Sequence, residues 1–247
     1  MLPAELQRAL DTVAEVSRLL VACDFDGTLA PIVNNPADAR PLATAAEALT
    51  GLADVPATEV ALISGRALSV LRELSAMPST VHFVGSHGAE FDTGFAHPVD
   101  EALLGRITKE LNRIAADRAG VTVETKPASV ALHVRNADAA DGEAALADAR
   151  AAAQSWDAQL TEGKAVLEFA VISTDKGEAV DLLRDRYDAS AVVFLGDDVT
   201  DEKAFRRLRA GDVGIKVGPG DTLAGHRVTS PDDVALALEY LLGRRGT

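Results

Sequence analysis

Short apolar runs punctuate this chain, and four of them stop at a polar, glycine-bearing motif. Leu19–Cys23 runs into Asp24-Phe25-Asp26-Gly27-Thr28-Leu29, and Glu59–Ile63 into Ser64-Gly65-Arg66. Val81–Val84 runs into Gly85-Ser86-His87-Gly88, and Ala191–Leu195 into Gly196-Asp197-Asp198, with Val213–Val217 following. Runs this short and this predominantly apolar suit strands covered on both faces. Helical patterns at Leu42–Leu52 and Leu68–Leu74 lie between them. The alternation predicts an α/β fold, a Rossmann-like core in which a parallel sheet carries helices on both faces. Ligands of such sheets bind beyond the carboxyl ends of the strands. All four motifs fall there, so their loops are expected to share one crevice.

Residues 100–172 read differently. A helical stretch, Leu103–Ala116, precedes two period-two runs, Val121–Lys126 and Ser129–Arg135, joined at Pro127-Ala128. A second helix at Ala139–Ala153 is followed by strand-like runs at Ala158–Thr161 and Ala165–Phe169. This pattern predicts a smaller α+β cap domain inserted into the core, which is formed by residues 1–99 and 173–247. Strict alternation puts Val121, Val123, Val130, Leu132, Val134, Ala165, Leu167 and Phe169 toward the insert's helices. Glu124, Lys126, Ser129, His133, Arg135, Lys164 and Glu168 then share the opposite face. Mixed donors and acceptors on one face suit a hydroxyl-rich ligand as well as they suit solvent.

The 247 residues carry a formal net charge of −14. That charge disfavours nucleic acid and anionic membranes as partners, and it makes any phosphate site a local construction. No apolar run is long enough for a membrane span. Glu5, Arg8, Asp11, Glu15 and Arg18 interrupt the N-terminal stretch, as an amphipathic helix would and a signal peptide would not. The lone cysteine, Cys23, excludes an intramolecular disulfide, and a cytoplasmic location is expected. A cysteine phosphatase would need arginine six positions on, where Leu29 stands, so Cys23 is expected to be a core residue. Nothing fixes an oligomeric state; a monomer is the simplest expectation.

Asp24 and Asp26 crowd two carboxylates at a strand end, and a divalent cation would offset their repulsion. Magnesium favours oxygen ligands and retains water. Asp24, a carbonyl near Asp26 and Asp197 would supply such a set. Ser64 and the Gly65 N–H can bind phosphate oxygens, and Lys176 stands at an expected helix start, where N–H groups favour anions. A carboxylate nucleophile, a second carboxyl, a metal, a hydroxyl and a lysine together describe phosphoryl transfer through an aspartyl-phosphate.

These motifs, in this order, resemble the haloacid dehalogenase superfamily. The stretches Gly85–Glu90, Glu124-Thr125-Lys126, His133-Val134-Arg135, Glu162-Gly163-Lys164 and GDDVTDE resemble, more narrowly, the trehalose-6-phosphate phosphatases within it. The resemblance covers about residues 18–240. It implies that Asp24 attacks phosphorus, that Asp26 is acid and base, and that Ser64 and Lys176 hold the phosphoryl group. It implies Mg²⁺ on Asp24, Asp26 and Asp197, with Asp198 and Asp201 orienting its surroundings. It further implies that Glu124, Lys126, His133, Arg135, Lys164 and Glu168 hold the sugar phosphate from the cap, and Arg66, His87 and Glu90 from the core. Phe169-Ala170 stands where the family usually has arginine and proline. Phosphatases for sucrose phosphate or mannosyl-phosphoglycerate, a phosphotransferase, and a non-catalytic sugar-phosphate sensor remain alternatives at this point.

Overall fold

The computed structural model describes residues 2–246. In chain order its elements are α1 (Ala4–Ala14), β1 (Leu19–Cys23), α2 (Ala43–Ala53), β2 (Thr58–Ile63), α3 (Leu68–Ser75), β3 (Val81–Gly85), β4 (Glu90–Phe91) and β5 (Gly94–Phe95). There follow α4 (Glu101–Ala115), β6 (Thr122–Thr125), β7 (Ser129–His133), α5 (Ala139–Ala153), β8 (Gln159–Gly163) and β9 (Val166–Ala170). The chain closes with α6 (Lys176–Tyr187), β10 (Ala191–Gly196), α7 (Asp201–Arg207), β11 (Val213–Val217), β12 (His226–Val228) and α8 (Pro231–Arg245). Two compact units result, one from the chain up to Gly94 and from Thr174 onward, the other from Phe95–Ser173.

The larger unit is built on a sheet of order β12-β11-β10-β1-β2-β3-β4-β5, parallel from β12 to β3, with β4 antiparallel to β3 and β5 outermost. All five residues of β1 are buried, as a central strand covered on both sides requires. Leu19, Val21 and Cys23 face a core completed by Leu6, Leu10 and Val13 of α1, Leu49 and Leu52 of α2, and Leu238 and Leu241 of α8. On the other face Phe194 meets Phe205 of α7 edge-on, and Ala179, Val180 and Leu183 of α6 are buried. Register sets the functional loops level: Cys23 lies beside Leu195 and Leu62, and Ile63 beside Val84. The next residues on these strands are therefore Asp24, Gly196, Ser64 and Gly85.

The inserted unit is a four-stranded antiparallel sheet, β6-β7-β9-β8. One face packs Val130, Leu132, Leu167 and Phe169 against Leu103, Ile107 and Leu111 of α4 and Ala145 and Ala149 of α5. Phe169, standing where a basic residue would be usual, is fully buried and edge-on to Trp156. The position has been given to core packing. β7 ends at His133 and not at Arg135, because the Val134 N–H turns to the Ala165 carbonyl. No helix among the described residues is long and apolar enough to cross a membrane.

Candidate active site

Asp24 is the first residue beyond β1, and its N–H is held by the Leu195 carbonyl at 2.9 Å. Its buried carboxylate meets Lys176 Nζ at 2.7 Å, and the same ammonium donates to Asp201 Oδ1 at 2.7 Å. Lys176 opens α6 behind an Asp175 cap whose side chain accepts the Glu178 N–H. Burial disfavours the ammonium, but Asp24 and Asp201 outweigh it and push the lysine pKa up. Lys176 is therefore a fixed cation. Burial, reinforced by the carboxylates of Asp201 and Asp197 and opposed by Lys176, pushes the Asp24 carboxyl up. Asp197 is raised too, by burial first.

Asp24, Asp197 and Asp201 bring one carboxylate oxygen each within 4.8 Å of the others. Asp201 is committed: Oδ1 takes Lys176 and Oδ2 accepts the N–H groups of Asp197 and Asp198 at 2.9 Å. The Thr28 hydroxyl donates to Asp197 Oδ1 at 3.4 Å, and the Asp24 side chain lies within hydrogen-bonding reach of the same carboxylate. Lys216, buried on β11, donates to the Asp197 main-chain carbonyl and fixes the loop from below. Gly27 has φ +82°, and a Cβ there would lie 2.1 Å from Asp197 Oδ2. Only glycine lets the loop after β1 approach this carboxylate. Asp24 and Asp197 thus form an all-oxygen, carboxylate-rich donor pair of the kind a hard divalent cation favours, with Asp201 orienting the loop and the lysine.

Asp26 faces elsewhere. Both its oxygens are held by Arg66, Oδ2 by Nε and Oδ1 by Nη2, each at 2.6 Å. The guanidinium also lies over the Phe25 ring at 5.6 Å. Ser64 is buried, and its Oγ accepts the Arg66 N–H at 3.2 Å. Asp198 caps locally, accepting the Val199 N–H. Glu90 is buried, with Oε2 accepting the Leu68 N–H at 2.6 Å, and the His87 ring stands against Gly65. A cavity of about 340 Å³ opens beside Gly27 and Asp197, walled by Pro31, Ile32, Pro219 and Pro231.

In the inserted unit the polar face carries two hydrogen-bonded groups. Glu168 Oε1 accepts Lys126 Nζ at 2.9 Å and Ser129 Oγ at 2.6 Å, and His133 Nε2 pairs with Glu124 at 2.9 Å. Arg135 and Lys164 lie exposed, outside the strands. The sequence did not reveal the Arg66–Asp26 clamp or the Lys216 contact. Each joins residues far apart in the chain; the buried lysine inside an apolar strand, Val213-Gly214-Ile215-Lys216-Val217, was the one available signal.

The trehalose-phosphatase family model matches residues 22–231. A trehalose-phosphate phosphatase of Mycobacterium avium is 38% identical over 240 residues, covering 88% of this chain and 59% of that protein. The chain thus spans about three fifths of the length of such mycobacterial relatives. The trehalose-6-phosphate phosphatase of Escherichia coli is 34% identical over 226 residues, covering 88% of this chain and 84% of that one. The solved C-terminal domain of Candida albicans trehalose-6-phosphate phosphatase superposes with a TM-score of 0.77 at 24% identity, over 96% of both chains. Motif order, strand-end geometry and these likenesses agree: the chain belongs to the trehalose-phosphatase family.

Proposed function

We propose that this protein hydrolyses trehalose 6-phosphate to trehalose and inorganic phosphate, with Mg²⁺ and through an aspartyl-phosphate on Asp24. The observation that carries the reading is the buried Asp24 carboxylate, 2.7 Å from Lys176 at the carboxyl end of the central strand, with Asp197 beside it. Asp24 attacks phosphorus as the bond to the sugar oxygen breaks, and Asp26 gives that oxygen its proton. Water then attacks the aspartyl-phosphate, Asp26 takes the water's proton, and phosphate leaves with Asp24 restored. Ser64 and Lys176 hold the phosphoryl oxygens and match the charge that develops on them. Asp24 and Asp197, with a carbonyl near Asp26, would hold the metal, which when bound neutralises phosphoryl charge. Asp198 and Asp201 keep that loop in shape. Arg66 holds Asp26 by both oxygens, and one of these two bonds must open for Asp26 to carry the proton and reach the sugar oxygen. Glu124, Lys126, His133, Arg135, Lys164 and Glu168 form the sugar-binding face of the inserted cap.

The test is phosphate release from trehalose 6-phosphate, sucrose 6-phosphate and glucose 6-phosphate, with Mg²⁺ and with chelator, using Asp24→Asn as the blank. Mg²⁺-dependent release from trehalose 6-phosphate above the others is expected. Preference for another sugar phosphate would keep the chemistry and overturn the substrate. No release from any, with an intact fold, would overturn the phosphatase reading.

A further inference from the structure

The loop between β3 and β4 touches both sides of the phosphoryl pocket. On one side it grips the turn that carries Ser64. Ser64 N–H donates to Val84 O at 2.9 Å, Ser86 N–H to Arg66 O at 2.7 Å, and His87 N–H to Ser64 O at 2.9 Å. A Cβ at Gly85 would lie 2.5 Å from Leu68 N, and one at Gly65 2.4 Å from the His87 ring, so the two loops are in contact along their length. On the other side the loop meets the start of α6. A Cβ at Gly88 would lie 2.7 Å from the Asp175 carbonyl, one residue before Lys176. Ser86 and His87 both adopt left-handed backbone, at φ +49° and +57°. Two such residues in succession are costly and persist only where the surroundings enforce them.

Glu90 closes this assembly. It is only 5% exposed, and its Oε2 accepts the N–H of Leu68, the first residue of α3, at 2.6 Å. Ala67, which precedes α3, offers no side-chain cap, so a residue from another strand does that work. Oε1 of the same carboxylate is buried with no hydrogen-bond partner among the described residues. A buried carboxylate kept for one charge-assisted bond is expensive, and holding a neighbouring turn in place would justify it.

We propose that Glu90 is a positioning residue of the phosphoryl pocket: it fixes the Ser64–Arg66 turn through Leu68, while its loop keys that turn to the helix start bearing Lys176. This differs from the sugar contact that the family resemblance implies for Glu90, and it rests on the phosphatase reading above. A sugar contact discriminates between substrates. A positioning residue acts on the phosphoryl group that all substrates share.

The experiment compares wild type with Glu90→Ala, Glu90→Asp and Glu90→Gln. Readouts are kcat and KM on trehalose 6-phosphate and on p-nitrophenyl phosphate, calorimetric affinity for inorganic phosphate with Mg²⁺, and the urea midpoint. Glu90→Ala and the shorter Glu90→Asp should lower kcat/KM about 10–100-fold, by the same factor on both substrates, and weaken phosphate binding alongside. Glu90→Gln keeps an acceptor for the Leu68 N–H and should restore most of the loss. Loss confined to trehalose 6-phosphate would overturn the proposal in favour of a sugar contact. A lowered urea midpoint with unchanged phosphate affinity would also overturn it, as a purely structural role. If Glu90→Ala does not fold, Glu90→Asp and Glu90→Gln decide. Should wild type turn over neither substrate, the phosphatase reading fails, and phosphate affinity still tests the turn.

Discussion

Lys176 compensates two buried carboxylates at once, so its removal has effects beyond catalysis. Lys176→Met should abolish turnover, and it should change how stability depends on pH. In the wild type the raised lysine pKa means a stabilising charge that is fully present at neutral pH and is lost only as pH climbs through the folded value. Without it, the burial that raises Asp24 goes unopposed. A carboxyl raised in the folded state costs stability as pH rises above its unfolded value. Urea unfolding in chelator should therefore show the variant losing stability between about pH 4 and 7 more steeply than wild type. Gly27→Ala tests the close approach to Asp197. It should cost at least about 100-fold in kcat/KM, and Mg²⁺ should no longer raise the melting temperature. At this scale the order Asp24, Ser64, Lys176, Asp197 was legible because each ends a strand or starts a helix. The partners of Asp26, Glu90 and Lys216 were not, since the sequence does not show which distant residue a side chain meets.

Elements that were plain in the sequence are those whose burial is uniform. β1, β2 and β10 are apolar runs because both faces are covered. The two-residue strands β4 and β5 and the three-residue β12 escaped, being too short to show any period. Arg184 of α6 and Asp212 before β11 form a buried ion pair that pattern could not reveal either. Asp212 also accepts the Val192 N–H at 2.8 Å and the Arg209 N–H at 2.7 Å, tying α6 to the start of β10. Asp212→Ala would strand a buried guanidinium and two amides. It should cost about 3–5 kcal/mol in urea unfolding while leaving kcat of the folded fraction near wild type.

For the whole molecule, charge and partition matter. With a net charge of −14, the protein repels an anionic substrate at long range. At fixed free Mg²⁺, kcat/KM on trehalose 6-phosphate should rise as salt is raised from about 0.01 to 0.15 M, the reverse of a steered enzyme. Lys126 and Glu168 are bonded to each other and to Ser129. Lys126→Ala and Glu168→Ala should thus produce similar losses on trehalose 6-phosphate and little loss on p-nitrophenyl phosphate. Equal losses on both substrates would overturn the proposed sugar-binding role of that face. The alternation of Val130, Leu132, Leu167 and Phe169 made the covered side of this sheet readable. The hydrogen bonds on its other side depend on register across three strands, which no single run of residues encodes.

Cys23 sits in the middle of all this, fully buried in β1 between β10 and β2, with burial and the neighbouring Asp24 pushing its thiol pKa up. It is also the chain's only sulfhydryl. A thiol reagent can reach it only when the central strand comes loose, so the pace of labelling would count those openings one molecule at a time. The protein carries its own stopwatch for the strand that leads into Asp24, with nothing engineered into it.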